Sequence, residues 1–570
     1  MITSSSRTRR LALLTALGYA SFIGPSQAQR APDAGALQQQ IERERQPVMP
    51  PALLTPKKSV EPTPMRPQKG VTLNVKSFRF EGNKRLSSEQ LAPLLASYLD
   101  RPLDFVQLNE AAAVIAKTYA DAGWLVRAYV PTQDISGDEV SIQIVEAVFG
   151  GIVIEGKGSS RVRTAVVRDV LEAEQKVGQP LNLKKLDRAL LLADDLPGVS
   201  VAGTLSEGRS GGETDMLLTL TDESLLTGDV LIDNTGSRST GAPRLSLNVN
   251  LNSPFGAAEQ LGMSVIHTQG SDYLRLGSTV PLGSKGVRFG LNASHLQYRL
   301  IGSEFAALNS TGTSDTFGAE LTYPMIRSRT TNLYTNLNLD VKQFDNRSGG
   351  EIVTRYKAIP LSFGLTFNSF DDIGQGGATT ANLAISAGKI DLAGSPNAVA
   401  DAATTQTAGR YSKLRIGATR LQMFSKSVSA YAAFTSQWTD KNLDSSEKIY
   451  LGGANGVRAY PVSEAGGSLG SLLNLELRWR LPYGFNVTGL FDIGSIKTNV
   501  HNNFMGAQAL NAYSLKGAGL AASWQMTDGP LFKAVWSRRI GENPNPSTTG
   551  KDQDGALVTN RVWLTANMSR

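Results

Sequence analysis

The chain has 570 residues, more than one compact domain of ~100–200 residues accounts for, so several structural units are expected. It contains no cysteine, which excludes disulfides and thiolate metal sites. Its formal net charge of +7 is not concentrated in a basic stripe of the kind that binds nucleic acid. A high glycine content (56 residues) together with a low content of charged residues (19%) is common in β-rich envelope proteins.

Residues 1–28 have the pattern of a secretory signal peptide. Arginines within 7–10 form the positive region, 11–20 form the apolar region, and Ser-Gln-Ala at 26–28 provides a small-x-small cleavage site. No later stretch has ~18 consecutive apolar residues, so a helical membrane span is not expected. An exported chain of this kind is either soluble or a closed barrel, because lipid requires every backbone N–H and C=O to be satisfied internally.

A short polar helix and a proline-rich linker are predicted next. Residues 36–45 favour a helix, which we assign to the segment 29–46. Prolines recur through 47–67, and at that density they neither continue a helix nor join a central strand. Residues 47–70 are therefore predicted to form an extended, semi-stiff linker.

An internal repeat follows. The pattern P-L-[DN]-[FL]-x-x-L-[ND]-x-A begins at Pro102 and again at Pro180, and further matches occur upstream in the same order. Ordered matches of this kind indicate a duplicated unit of ~75 residues. The sequence therefore predicts two small α+β domains, over 71–147 and 148–222.

Each copy is predicted to run strand, helix, helix, strand, strand. In the first copy these elements are a strand over 73–80, helices over 88–98 and 107–122, and strands over 125–130 and 139–146. Asp104 and Asn182 occupy equivalent positions before the second helix of each copy. Their side chains can accept a hydrogen bond from the first turn, so both are predicted helix N-caps.

From residue 223 to 570, apolar and polar residues alternate, most clearly over 244–252 and 471–481. This alternation predicts strands with one apolar and one polar face. A soluble β-sandwich and a membrane β-barrel both fit the pattern. Both segments reach the ~9–11 residues that cross a bilayer, which favours the barrel. The remaining length allows about 16 strands, an even number as in bacterial barrels.

No catalytic arrangement is recognisable. His267, His295 and His501 are not at metal-ligand spacing and are expected to be ordinary loop or lumen residues. The glycine-rich stretch 452–456 lacks the Lys-Ser/Thr of a phosphate-binding loop. The chain is therefore not expected to be an enzyme or to bind a cofactor or metal.

One glycine-rich connection is unusual because it carries a single arginine. Its central residues are Gly456, Val457, Arg458, Ala459 and Tyr460.

Further on, Asp492 interrupts an apolar strand that also contains Gly494, so its carboxylate is expected to face the lumen. An arginine and a carboxylate in a dry site form a specific, bidentate pair. The alternative is an exposed loop Arg458 and a solvated Asp492, and spacing alone does not decide between the two.

These motifs resemble those of the two-partner secretion transporters, the ShlB/FhaC-like (TpsB) family within the BamA-type superfamily. The arginine loop resembles the family's V-R-G-[FY] motif, and 489–494 looks like its F-x-D-x-G strand. Residues 233–241 resemble the first barrel hairpin, and 252–256 resemble the N-P-[LF]-G turn that follows it.

The rest of the mature chain is similar as well. The duplicated domains resemble periplasmic POTRA domains, and residues 34–46 resemble the family's plug helix. Three positions depart from the family pattern. Ala459 replaces a glycine, Leu490 replaces a phenylalanine, and Arg570 ends the chain where an aromatic residue is frequent.

The resemblance implies a transmembrane antiparallel β-barrel of about 16 strands, preceded by two α+β POTRA domains and a plug helix. It implies that the Arg458 loop folds into the barrel and pairs with Asp492, while the plug helix occupies the lumen. The implied partners are a secreted exoprotein, outer-membrane lipid and the barrel-assembly machinery, and the transporter is expected to be a monomer. A barrel-assembly insertase and a passive porin remain alternatives.

Overall fold

The computed structural model describes residues 32–44, 72–133 and 138–569. The predicted signal peptide, the predicted linker and Arg570 lie outside the described residues. Within the described part, no helix is both long enough and apolar enough to cross a membrane.

The first described element is helix α1 (Ala34–Glu44), and a small α+β domain follows it. The elements of this domain are β1 (Leu73–Asn74), β2 (Ser77–Glu81), α2 (Ser88–Leu91), β3 (Pro102–Leu103), α3 (Phe105–Asp121), β4 (Val126–Tyr129) and β5 (Glu139–Glu146). The main sheet has the order β2-β5-β4, with β2 parallel and β4 antiparallel to β5. Helix α3 covers this sheet with Ala111, Ile115 and Tyr119.

The second predicted helix of this domain is found, but the first is not a single α-helix. After α2 the chain continues as a 3-10 helix over Ala92–Tyr98. Pro93 has no N–H to donate to the carbonyl of Glu89, which explains why the α-helical pattern stops. Helix α3 has the predicted cap: the Asp104 carboxylate accepts from Gln107 N at 2.8 Å, and the Gln107 side chain accepts from Asp104 N at 3.0 Å.

A second α+β domain repeats this arrangement. Its elements are β6 (Val148–Glu155), α4 (Thr164–Glu174), α5 (Leu183–Asp194), β7 (Val199–Glu207) and β8 (Glu213–Asp222). The sheet order is β6-β8-β7, with β6 parallel to β8. The Asn182 side chain accepts from Lys185 N at 3.0 Å, so the predicted N-cap of α5 is also present.

The remainder forms a closed antiparallel barrel of 16 strands, in agreement with the predicted number. Its strands are β9 (Leu226–Asp233), β10 (Arg244–Asn252), β11 (Gln260–Thr268), β12 (Ser271–Pro281), β13 (Arg288–Arg299), β14 (Thr311–Arg327), β15 (Thr331–Ser348), β16 (Glu351–Asp371), β17 (Gly377–Asp391), β18 (Gly409–Met423), β19 (Val428–Thr439), β22 (Leu469–Arg480), β23 (Phe485–Lys497), β24 (Ala512–Gln525), β25 (Leu531–Arg539) and β26 (Asn560–Ser569). Strands β20 (Ile449–Tyr450) and β21 (Gly466–Gly467) pair with each other instead, and a short helix α6 (Ala398–Ala403) lies between β17 and β18. Pairing of β26 with β9 closes the barrel.

The side chains of the barrel have the polarity of a membrane protein. Leu276 on β12 and Leu564 on β26 are 53% and 52% exposed on the outer face, whereas Asn252 on β10 and Ser314 on β14 are 5% and 0% exposed. A sandwich would bury the leucines and expose the polar residues. The alternation therefore belongs to a barrel with an apolar exterior and a polar lumen, and barrels of 16–18 strands are wide enough to enclose an aqueous channel.

Helix α1 lies inside the barrel. Its Leu37 and Ile41 are buried and pack in one cluster with Tyr298, Phe344 and Tyr411. These aromatic residues project into the lumen from β13, β15 and β18, so the otherwise polar lumen contains an apolar seat for one face of the helix. The helix therefore occupies part of the lumen.

The second α+β domain is fixed to one end of the barrel. Arg327, at the end of β14, makes two hydrogen bonds of 2.7 Å to the Asp195 carboxylate, which directly follows α5. Arg188 donates a further hydrogen bond of 2.8 Å to Pro324 O. The Arg327 side chain is almost fully buried, so this bidentate contact holds the domain in one orientation.

We expect Arg327→Ala to loosen the domain without disturbing the barrel, because a buried charged contact of this kind contributes about 1–3 kcal/mol. The chain lacks cysteine, so spin labels on introduced Lys176→Cys and Lys285→Cys can report the distance between domain and barrel. The distance distribution should broaden in Arg327→Ala. Arg168→Ala, which removes an exposed arginine of α4, serves as the control, and equal distributions in both variants would contradict the expectation.

Candidate functional site

The connection between β20 and β21 folds back into the lumen and brings Arg458 to the barrel wall. Arg458 Nε donates to Asp492 Oδ2 at 2.9 Å and Nη2 donates to Oδ1 at 2.6 Å. The backbone N of Arg458 adds a third hydrogen bond to Oδ2 at 3.0 Å. Arg458 is 5% exposed and Asp492 is fully buried, so the structure brings the two residues together as a dry, bidentate pair.

A second carboxylate shares the guanidinium. Arg458 Nη1 donates to Glu476 Oε1 at 2.5 Å, and the other oxygen of Glu476 accepts from Arg478 Nε at 2.8 Å. Arg458 therefore bridges acidic residues on two adjacent strands, β22 and β23. The two carboxylates are thus paired with two arginines, of which Arg458 is buried and Arg478 is partly exposed.

Asn474 joins the wall to the loop backbone. Its Nδ2 donates to Asp492 Oδ1 at 2.7 Å and to Gly456 O at 2.9 Å. Asn474 lies directly opposite Asp492 in the β22–β23 ladder, so the strand register aligns both partners. The loop is thus held through its main chain as well as through the Arg458 side chain.

The two glycines of the motif are required by close packing. A Cβ at Gly456 would lie 2.0 Å from Leu451 O, a contact that no side chain tolerates. A Cβ at Gly494 would lie 3.0 Å from the Leu451 side chain. Val457 is fully buried and its N donates to Leu451 O at 2.7 Å. Both glycines therefore let the loop turn tightly against β23.

Ala459 and Tyr460 are also fully buried. A Cβ built at Gly517 on β24 would lie only 2.7 Å from the Ala459 methyl, so Gly517 leaves the room that this methyl occupies. The Arg539 guanidinium lies 4.9 Å from the centre of the Tyr460 ring, a cation–π distance. The alanine found where the family has glycine is thus accommodated by Gly517, which lies directly opposite Asp492 on the neighbouring strand.

Trp563 also belongs to the site, although the sequence motifs did not predict it. Its indole Nε1 donates to Arg458 O at 2.8 Å, and its ring is buried against Leu490, the other departure from the family motif. A signal was present in the sequence. Val562 and Leu564 are the outward residues of β26, so the alternation itself places an aromatic residue on the lumen face.

Two ion pairs join the C-terminal half of α1 to the lumen wall. Glu42 Oε2 lies 2.7 Å from Lys342 Nζ on β15, and Glu44 pairs with Arg244 on β10. The side chains of Lys342 and Arg244 are 5% and 8% exposed. Both cations project inward from the wall and are covered by the helix.

Helix α1 also touches the arginine-bearing connection. Arg43 donates to Asn455 O at 3.0 Å and to Tyr450 O. At the other end of the helix, Asp33 Oδ2 accepts from Ser445 Oγ at 2.8 Å. The helix and the loop therefore form one assembly inside the barrel, although they are far apart in sequence.

The connection between β25 and β26 folds over the same assembly. Glu464, in the connection that carries Arg458, accepts from Asn543 Nδ2 at 3.0 Å and from Gln553 N at 2.9 Å. Burial raises the pKa of the Glu464 carboxyl to about 7, and the nearby carboxylates of Asp552 and Asp554 act in the same direction. Neither connection was predicted to contact the other.

This raised pKa predicts that the contact weakens with rising pH. The ordinary pKa of 4.5 is lower than the folded value of about 7, so the protonated form is favoured where the contact is made. The stabilisation is complete below the ordinary value and is lost as the pH rises through about 7, by roughly 1–3 kcal/mol. Hydrogen exchange in 541–559, corrected for its intrinsic pH dependence, should therefore increase between about pH 5 and about pH 8.

Glu464→Gln is the matched variant for this measurement, because its amide keeps the size of the carboxylic acid and does not titrate. Corrected exchange in 541–559 should then be nearly independent of pH. An equal pH dependence in both proteins would show that another group is responsible.

The prediction that all three histidines are loop or lumen residues is wrong for two of them. His267 on β11 and His295 on β13 are neither loop nor lumen residues but point outward, at hydrogen-bond distance from Asp272 and Asp315. His267 is opposite the outward Leu245, so the period-two alternation assigns it to the exterior. His501 lies in the connection between β23 and β24 and accords with the expectation.

Comparison with known proteins agrees with this architecture. Residues 212–521 match the family model described as haemolysin secretion/activation protein ShlB/FhaC/HecB, and residues 73–147 match the ShlB-type POTRA domain. A curated relative, the heme/hemopexin transporter protein HuxB of Haemophilus influenzae, is 25% identical over 508 residues, which cover 86% of this chain and 89% of the relative.

Solved structures show the same fold. CdiB from Escherichia coli matches with a TM-score of 0.69 at 20% identity, covering 94% of this chain and 98% of CdiB. BamA from Haemophilus ducreyi lacking POTRA domains 1–3 matches with a TM-score of 0.54 at 13% identity, covering 88% of this chain and all of that one.

The family match extends over more than half of the chain and includes the strands that form the arginine site. The chain therefore belongs to the haemolysin secretion/activation family ShlB/FhaC/HecB, outer-membrane transporters that export a partner protein by two-partner secretion, with the barrel in the outer membrane and the POTRA domains in the periplasm.

Proposed function

We propose that this chain exports its partner as an extended polypeptide through the barrel lumen, after helix α1 has left it. The observation that carries the proposal is how the lumen is filled. Helix α1 is held there by side-chain contacts and a few hydrogen bonds, whereas the wall is held by a continuous ladder of main-chain hydrogen bonds. The helix can therefore leave the lumen while the ring of paired strands stays intact.

The POTRA domains supply the recognition step. Each three-stranded sheet has two edge strands, β2 and β4 in the first domain and β6 and β7 in the second. An unfolded partner can add a strand to such an edge, because main-chain hydrogen bonds need little sequence identity. Val153 on β6 and Leu205 on β7 are exposed beside these edges and offer apolar contacts.

The lumen suits a sliding chain over most of its surface, which is polar apart from the aromatic seat that α1 uncovers when it leaves. No nucleotide is available in the periplasm, so folding of the partner outside the cell supplies the direction of transport. The Arg458 cluster keeps the loop seated on the wall in the resting state and defines the path beside it.

The partner is a large exoprotein of the adhesin, haemolysin or toxin type. The other partners are outer-membrane lipid around the apolar exterior and the assembly machinery that inserts the barrel. We infer a monomer that binds no nucleic acid, no cofactor and no metal. An insertase role is less well supported, although the BamA fold is similar. Insertases of this superfamily typically carry more POTRA copies than the two that this sequence shows.

A site-specific crosslink tests this path. The partner is identified as the exported protein that disappears from the culture medium when the gene for this chain is deleted. A stably folded domain is fused to its C-terminus to arrest export. A photo-crosslinking residue at the inward Asn250 should then capture the partner, whereas the same residue at the outward Leu251 should not. Capture at both positions or at neither would contradict export through the lumen.

A further inference from the structure

The lumen wall carries cations that α1 covers with its own carboxylates. Lys342 Nζ, on β15, lies 2.7 Å from Glu42 Oε2. Among the described residues, Glu42 is the one carboxylate within ion-pair distance of Lys342. When α1 leaves the lumen, Lys342 therefore loses this ion pair and becomes accessible, while Glu447 and Asp340 remain as more distant acidic neighbours on the wall side.

A second cation lies beside the first. Arg415 on β18 has Glu42 and Glu447 as its acidic neighbours, and its Nη2 donates to the neutral amide of Gln437 at 2.6 Å. Glu447 is already paired with Lys413 at 2.5 Å. Departure of α1 thus removes the Glu42 carboxylate from Arg415, together with the Arg43 guanidinium, which also lies near it.

Arg244 is a useful contrast on the opposite side of α1. It pairs with Glu44 of the helix, but it also makes hydrogen bonds of 3.1–3.2 Å to Asp233 on the wall. Arg244 therefore keeps a wall partner when the helix leaves. The cation that loses its ion pair is Lys342 on β15, and Arg415 on β18 loses one of its two carboxylate neighbours.

From this arrangement we propose that Lys342 and Arg415 form an acceptor site for acidic segments of the exported chain, and that α1 is its built-in occupant. This inference rests on the proposed export through the lumen and specifies the chemistry of the substrate. Glu42 shows the ligand class directly, since a carboxylate on a short helix is bound there. An acidic segment arriving from the periplasm competes with Glu42 and helps to displace the helix.

Equilibrium binding tests the site directly. The chain lacking 29–46 is purified in detergent, and the probes are fluorescent peptides. One is the chain's own 32–46 segment, the second is the same peptide with Glu42→Gln and Glu44→Gln, and the others are decaglutamate and decalysine. The native segment and decaglutamate should bind, the substituted segment should bind about tenfold more weakly, and decalysine should not bind. Binding should weaken with salt, as expected for partly exposed charges.

The matched variants are Lys342→Gln with Arg415→Gln, and, as control, Arg347→Gln with Arg355→Gln. The control pair removes two exposed arginines near one end of the same wall. Decaglutamate affinity should fall about tenfold in the first pair and stay unchanged in the control. Equal affinities in the two pairs, or equal binding of decalysine, would overturn the acceptor site.

The two proposals fail in different ways. If export does not pass through the lumen, the Asn250 crosslink fails while peptide binding persists. If the acceptor site is wrong, peptide binding loses its dependence on Lys342 and Arg415 while the crosslink remains.

Discussion

Arg458→Ala should reduce secretion of the partner to background while the barrel still assembles in the outer membrane. The substitution leaves Asp492, which is fully buried, without its bidentate partner, and breaking such a pair costs about 3–5 kcal/mol. That energy is large for a single loop, so the loop leaves its position on the wall. The barrel is stabilised by 16 paired strands and is not expected to unfold.

The measurement compares partner in the medium with heat-modifiable barrel in the membrane fraction. Arg458→Lys keeps the charge but not the planar fork, and should restore secretion only in part. Arg538→Ala removes an exposed arginine of β25 and should secrete normally. Normal partner levels from Arg458→Ala, with a correctly assembled barrel, would show that the pair has no role in transport.

Most of the barrel architecture was predictable because its signal is local. A strand with one face toward lipid alternates every second residue, so 244–252 was predicted with the bounds that the structure has, and 471–481 lies within one residue or two of β22. The first α+β domain was predicted less accurately. One predicted helix is divided at Pro93, because proline has no N–H to donate to the carbonyl four residues earlier.

The site was only partly predictable, because its partners come from distant strands. Arg458 and Asp492 stand out as isolated charges in a glycine-rich loop and an apolar strand. Glu476 is one of several polar residues on an alternating strand, and nothing in its neighbours marks it as a partner of Arg458. Trp563 lies 105 positions from Arg458, so only the closure of the barrel brings its indole to the loop.

The lumen contacts of α1 could not be predicted from the sequence either, because they also join residues that are far apart in the chain. A short polar helix with Glu42 and Glu44 has no intrinsic preference for Lys342 or Arg244, which lie hundreds of residues away. Their inward orientation follows from strand parity, yet the height of each residue in the barrel depends on the stagger of all the strands. A one-residue shift in register would turn these cations outward.

Deletion of residues 29–46 should raise single-channel conductance several-fold in planar bilayers. Helix α1 fills the lumen with Leu37 and Ile41 seated on aromatic side chains of the wall, and no other described element replaces it there. Removing it leaves a passage, polar apart from that aromatic seat, that water and ions can enter. The deletion does not touch the strands, so heat-modifiable mobility should be unchanged.

A point substitution can displace the helix from the lumen without removing it from the chain. A Cβ at Gly35 would lie 2.7 Å from both Ser445 Oγ and Tyr356 Oη, and both atoms are on wall-side elements. Gly35→Val should therefore unseat α1 and give frequent openings of the size seen in the deletion. Gln40→Ala, at a less buried position of the same helix, should remain mostly closed. If Gly35→Val and the deletion both conduct no better than the unaltered chain, α1 does not obstruct the pore.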